Sequence, residues 1–155
     1  MHIQLADASQ APIIHAIMIQ AFQEYENEVA PSSALEETVQ SITEALEDGE
    51  QAFIVFIEDN PVGMVRFRIQ DTGIYFSRLS VVPEKQGQGI AKKLVTALEE
   101  YAVQNGKHTV RCKVRMNVPR NILLYESLGY WTYNEEIVHK PNDIEIKVAL
   151  MKKQV

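Results

Sequence analysis

Residues 79–100, LSVVPEKQGQGIAKKLVTALEE, decide how this chain reads. An apolar extended run stops at Pro83, six residues carrying two glycines follow, and a patterned helix then begins. The first amides of a helix lack internal partners and point along the positive end of its dipole. Gly87 and Gly89 would let those amides approach an anion closely, and Lys92 and Lys93 one turn inside could add counter-charge. On its own, the loop is explained equally by a tight turn that needs positive φ and binds nothing. Two nucleotide loops are excluded. A Walker A loop needs GxxxxGK and then Ser or Thr, but Gly89 is followed by Ile-Ala. A dinucleotide fingerprint needs a third glycine where Lys92 stands, and an acid ending the next strand, which TVRCKVRM lacks.

At 155 residues the chain reads as a single domain over 1–155, long enough for its own core. A formal charge of −6 argues against a nucleic acid partner and fits a cationic or amine ligand better. The only cysteine, Cys112, cannot form an internal disulfide and points to a reducing compartment; it reads as a small buried strand residue. No CxxC or His/Cys spacing calls for a metal. MHIQLADASQ is not a signal peptide, and no apolar run approaches the ~18 residues of a membrane span. A soluble cytoplasmic protein is expected.

Outward from the glycine loop, the periodicities predict an ordered series of elements. Residues 2–7 read as a strand, with a helix from about residue 11 capped by Ser9. A second helix over LEETVQSITEALED carries the stripe Leu35, Val39, Ile42 and Leu46, with Gly49 just past its end. QAFIVFIED, VGMVRFRIQD and YFSRLSVV read as antiparallel strands, turning at Asn60-Pro61 and near Thr72-Gly73. The helix after the loop faces inward with Ile90, Leu94, Val95, Leu98 and Ala102. TVRCKVRM is a strand and RNILLYESL a short helix with Gly129 as its stop. Residues 130–139 and 143–151 form a closing hairpin. The order is β-α-α-β-β-β-α-β-α-β-β, one mixed α/β domain.

VVPEKQGQGIA resembles the acetyl-CoA loop of the GNAT N-acetyltransferases, V-x-P followed by [Q/R]-x-x-G-x-[G/A], with Gln86, Gly89 and Ala91 at the matching offsets. RNILLYESLGY resembles the same family's LYExLGF/Y segment. The resemblance implies an α+β GNAT fold: a mixed, mostly antiparallel sheet of about seven strands flanked by about four helices. It implies acetyl-CoA as co-substrate and direct attack by an acceptor amine on the thioester. The amides of Gln86, Gly87, Gln88, Gly89, Ile90, Ala91 and Lys92 would hold the pyrophosphate. Backbone from Leu79 to Val81 would pair with the pantetheine arm in the gap between splayed fourth and fifth strands, and an amide near Val81 would polarise the carbonyl.

Tyr125 matches the family tyrosine that is commonly the general acid; an aromatic core residue is its other reading. The base stays open, because YFSRLSVV has no carboxylate; a water relay or a partly neutral acceptor would serve. Glu24, Glu26 and Glu28 lie where the family usually lines its acceptor site and could pair with a cation, or simply form a solvated helix end. Val118 stands where the family often has a CoA-touching asparagine. Asn121 could face the cofactor instead, and Asn117 fits an N-cap for the helix carrying Pro119. Trp131 and Tyr133 could wall the acceptor cleft or pack in the core or an interface, while His15, His108 and His139 read as surface or strand-end residues. The implied function is acetyl transfer to a primary amine of a small molecule or peptide. The rivals are a noncatalytic acyl-CoA-binding module and a protein lysine or N-terminal acetyltransferase. The last strands of this fold often pair between subunits, which leaves a homodimer open.

Overall fold

A computed structural model describes residues 1–23 and 33–155. Within them the order is β1 (His2–Leu5), α1 (Ala11–Phe22), α2 (Val39–Glu47), β2 (Gln51–Ile57), β3 (Asn60–Ile69) and β4 (Gly73–Val81). Then follow α3 (Ile90–Gln104), β5 (Thr109–Arg115), α4 (Pro119–Ser127), β6 (Trp131–Lys140) and β7 (Ile144–Gln154). The strands form one sheet in the order β1-β2-β3-β4-β5-β7-β6. Every pairing is antiparallel except β4 with β5. The fold class and element order expected from the sequence hold.

Alternation along the strands divides the core into two layers. Phe53 of β2 and Phe67 of β3 stack at 5.1 Å and both meet Tyr101 of α3 edge-on, at 5.5 and 5.6 Å. The five inward residues expected of α3 are all buried against this face. Burying each large aliphatic among them contributes about 1.5–3 kcal/mol. On the opposite face, Arg66 of β3 reaches the Met18 sulfur of α1. Helix α1 packs there on β3 and β4, and α2 packs against α1.

Several local expectations are corrected by backbone chemistry. Asp7, not Ser9, caps the first helical turn: its carboxylate accepts from the Ser9 amide while Gln10 accepts from the Asp7 amide. Helix α2 starts at Val39, because Thr38 and Ser41 close a reciprocal capping box, 3.0 and 2.9 Å. Leu35 therefore falls on a 3₁₀ turn, Ser33–Glu36, and Val39 is exposed, leaving Ile42 and Leu46 to face the core. The β2–β3 turn is Glu58-Asp59, with φ of 51° and 66°, and Asn60-Pro61 already belongs to β3. A two-residue hairpin turn of this kind needs positive φ at both positions, which proline cannot adopt. Pro61 instead sits where the register shifts at a bulge, a position that tolerates its missing N–H. Val118, not Asn117, occupies the N-cap position of α4.

Candidate active site

β4 and β5 pair over only three positions, Gly73↔Thr109, Ile74↔Val110 and Tyr75↔Arg111. Each strand then follows its other neighbour, β4 along β3 and β5 along β7 as far as Arg115↔Val148. The gap between them is a cleft of about 670 Å³ lined by residues 75–79 and 112–115, together with parts of α1, α3, α4, β6 and β7. Gly73 sets where the strands meet, since a Cβ there would lie 2.3 Å from the Thr109 carbonyl oxygen.

The wall made by β4 is bulged. Met64 faces Ser80 and Arg66 faces Ser77, so two residues, Arg78 and Leu79, oppose Val65 and leave the ladder. Arg78 carries φ of +57°. Its Nε donates to Glu37 at 2.9 Å and its Nη2 to Ser33 at 3.0 Å. Glu37 also accepts from Arg66 Nη1 at 2.7 Å, and Arg66 Nε and Nη2 donate to Glu50 at 3.1 and 2.8 Å. Arg66 is only 5 % exposed. Burial alone would lower its pKa, but the bonds and charges of Glu50 and Glu37 outweigh burial and raise it.

The glycine loop forms one end of the cleft. Pro83–Lys85 makes a single 3₁₀ turn, Gln86 is extended and donates to the Val81 carbonyl at 3.2 Å, and Gly87 and Gly89 take φ of 81° and 82°. A Cβ at either glycine would meet nothing within 4 Å, so their requirement is the left-handed backbone itself. Gly89 is the N-cap residue of α3, and the first helical bond runs from Lys93 N–H to its carbonyl. The amides just before Lys93 therefore have no partner within the helix and face the cleft end.

Across from the loop, α4 brings Tyr125 to the same cleft, 8 % exposed and edge-on to Phe76 and Tyr130. Tyr130 donates to Glu99 at 2.9 Å, and burial followed by that carboxylate pushes its phenol well above the ordinary range. Cys112 lines the cleft buried, and burial pushes its thiol up to about 12.

A family model described as Acetyltransferase (GNAT) family matches residues 15–130. The chain belongs to the GNAT acetyltransferase family. Its fold is similar to that of ribosomal-protein-alanine N-acetyltransferase from Brucella melitensis, with a TM-score of 0.81 at 19 % identity over 100 % of both chains. It is also similar to yncA from Salmonella typhimurium with its cofactor acetyl-CoA, with a TM-score of 0.79 at 19 % identity over 99 % of this chain and 93 % of that one. An aminoglycoside 6'-N-acetyltransferase complexed with coenzyme A gives 0.73 at 16 % identity over 99 % and 97 %. No curated protein matches the chain.

Within this GNAT fold, the structure brings most of the residues singled out from sequence to one cleft. Leu79, Val81, Gln86, Gly87, Gly89 and Ile90 line it, as do Ala91, Lys92, Asn121 and Tyr125. Gln88 does not, and neither does Asn117. Glu24, Glu26 and Glu28 lie outside the described residues. Trp131 and Tyr133 do not wall the cleft; they are exposed and flank the Lys152 ammonium at 5.1 and 4.7 Å. None of His15, His108 and His139 lines it either: His15 bonds the Glu37 carbonyl, and His139 stands exposed beside Glu145.

Sequence reasoning missed the charge of the cleft. Among its described lining residues seven are basic and one, Glu136, is acidic, although the whole chain carries −6. Lys113 pairs with Glu136 at 2.9 Å beside Tyr75, whose phenol is raised by burial against the opposing pull of Lys113 and Arg78. The signal was present in TVRCKVR, whose alternation sets Arg111, Lys113 and Arg115 on one face of β5. Free helix-end amides with Lys85, Lys92 and Arg120 nearby suit a polyanion, which is the fit a CoA pyrophosphate requires.

Proposed function

We propose that the chain transfers the acetyl group of acetyl-CoA directly to a primary amine. The observation that carries this reading is the parting of β4 from β5 after three paired positions, with the glycine loop and Tyr125 lining the same gap. Two similar folds, yncA and the aminoglycoside acetyltransferase, are complexes with acetyl-CoA and coenzyme A. The acceptor is a small molecule or peptide amine, in keeping with the aminoglycoside and ribosomal-protein names of these relatives.

The chain's own residues divide the work. Amides from Gln86 to Lys92 hold the pyrophosphate, with Lys85, Lys92 and Arg120 supplying counter-charge. Backbone from Leu79 to Val81 pairs with the pantetheine arm as an added strand would, and Asn121 faces it from α4. The bulge backbone donates to the thioester carbonyl oxygen, favouring the charge that grows there as the amine attacks. Tyr125 gives its proton to the leaving sulfur. β4 carries no carboxylate, so the amine proton leaves through water, or the acceptor arrives partly neutral.

Calorimetric titration with acetyl-CoA, followed by a thiol-release screen over amino acids, polyamines, aminoglycosides and peptides, tests this reading. Binding together with amine-dependent thiol release supports transfer. Absence of binding sinks the coenzyme assignment. Binding without release for any amine favours a noncatalytic acyl-CoA-binding module, the reading that the carboxylate-free β4 keeps in view.

A further inference from the structure

The β4 bulge is fixed by side chains rather than by its ladder. Arg78 holds a φ of +57°, which an L-residue keeps only where its surroundings impose it. Two sets of bonds impose it here. From the α2 side, Glu37 and Ser33 grip the Arg78 guanidinium at 2.9 and 3.0 Å. From β4 itself, the buried Ser80 hydroxyl donates to the Arg78 carbonyl at 2.8 Å.

That carbonyl shares one rigid peptide plane with the Leu79 N–H, and the two groups point in opposite directions. Holding the Arg78 oxygen on Ser80 therefore sets the direction of the Leu79 amide, in a stretch with no partner in β3. Glu37 is itself clamped. Its other oxygen takes Arg66, which faces Ser77, the last paired residue before the bulge. Arg66 is in turn held by Glu50, the residue just before β2. The charges alternate along the line Glu50–Arg66–Glu37–Arg78, so the two inner members, Arg66 and Glu37, are each held on both sides. One carboxylate thus joins both strands at the bulge to the segment preceding α2.

We propose that Glu37, Arg78 and Ser80 are positioning residues, which lock the Arg78–Leu79 peptide so that the Leu79 amide donates to the acyl carbonyl oxygen. This rests on the acetyl-transfer reading above. The residues touch neither the amine nor the sulfur; they act through the backbone they orient. Losing them lowers catalysis and recognition of the acetyl group, while leaving the grip on the rest of the coenzyme in place.

Arg78→Gly is the deciding variant, because glycine takes positive φ without strain and so removes the side-chain tie without straining the backbone. The readout is the ratio of affinities for acetyl-CoA and CoA, measured by calorimetry beside kcat, KM and Tm. The wild type is expected to prefer acetyl-CoA by about tenfold, the worth of one hydrogen bond to the carbonyl. In Arg78→Gly and Ser80→Ala that preference falls toward parity, and kcat drops on the order of 10- to 100-fold with the acceptor KM nearly unchanged. Glu37→Gln behaves alike with a lower Tm, since two guanidiniums then face one amide. Arg78→Lys, which keeps one bond to Glu37, restores part of kcat.

The proposal is overturned if Arg78→Gly keeps both the acetyl preference and kcat. It is equally overturned if the variants weaken acetyl-CoA and CoA by the same factor, which is what a merely structural role gives. If the wild type neither binds acetyl-CoA nor releases thiol, the acetyl-transfer reading has failed, and this proposal with it.

Discussion

The two walls of the cleft are built by different means. The wall at the start of α3 is backbone: two left-handed glycines, a run of amides without helical partners, and an extended Gln86. The wall toward α1 is side chain: a half-buried line of alternating charges reaching from Glu50 to Arg78, and the Lys113–Glu136 pair on the β5–β7–β6 surface. A backbone wall depends on conformation, so its cost falls on the few positions where only glycine is comfortable. A side-chain wall depends on which residues meet, and its members come from six separate stretches of chain. The first kind serves a ligand whose chemistry does not vary; the second is where specificity can be set.

The sharpest way to break this division is at the point where the walls meet the reacting atoms. Tyr125→Phe removes a proton donor without changing the packing of its ring against Phe76 and Tyr130. Its kcat is expected to fall on the order of 100-fold, while acetyl-CoA affinity by calorimetry stays within about twofold. An unchanged kcat would return Tyr125 to the core. Next in size is the hinge of the cleft. In Gly73→Ala the new methyl carbon lies 2.3 Å from the Thr109 oxygen, so β4 and β5 must separate where they now pair. Overpacking of this kind costs about 1–3 kcal/mol. For a chain of this length that lowers Tm by several degrees, on the order of 3–8 °C. A Tm equal to wild type would mean that the strands yield freely there.

The backbone wall is tested by Gly89→Ala. With no neighbour within 4 Å, the methyl meets no clash, and its whole effect is the penalty for φ near +82°. That penalty is about 1–2 kcal/mol, so the loop relaxes and acetyl-CoA must restore it, weakening affinity by about tenfold. Tm should hardly move, because the relaxed loop is exposed. Equal affinity for the variant would show that the loop tolerates other backbones and that its glycines are only a turn.

The same contrast explains how far the sequence could be read. Gly87, Gly89 and Pro83 were legible because glycine opens positive φ and proline fixes φ as few other residues do, and Tyr125 because its segment repeats a family pattern. Element order followed from periodicity, and the inward stripe of α3 held at every position. What failed was local or distant. The Asn60-Pro61 turn looked right by composition, yet only the observed φ of Glu58 and Asp59 shows where the hairpin reverses. Glu37, Arg66 and Arg78 lie 29 and 12 positions apart and have no common motif, so nothing short of the folded register brings them together. Trp131 and Tyr133 alternate as cleft residues would, but a register shift between Thr132 and Asn134 falls among them and their rings sit on Lys152.

Cys112 carries the smallest expected effect and decides between two chemistries. A thiol lining a cleft proposed to hold a thioester invites a two-step route through an acetylated cysteine. Burial argues against it, because only the thiolate attacks, and this thiol is raised from 9.0 to about 12. Direct transfer therefore predicts that Cys112→Ala keeps kcat within about twofold, with only a modest cavity cost to stability. A loss of about 100-fold or more would instead assign the thiol a covalent role. The raised pKa carries a second consequence, whose sign follows from proton counting. Above pH 9.0 the unfolded chain releases this proton while the folded chain keeps it up to about 12. The wild type therefore loses stability as pH climbs through that window, by about 1.4 kcal/mol per pH unit at most from this group. Denaturant titrations at neutral and alkaline pH should show a shallower alkaline decline in Cys112→Ala than in the wild type. Parallel declines would mean that the thiol is less enclosed than its place between β5 and the core requires.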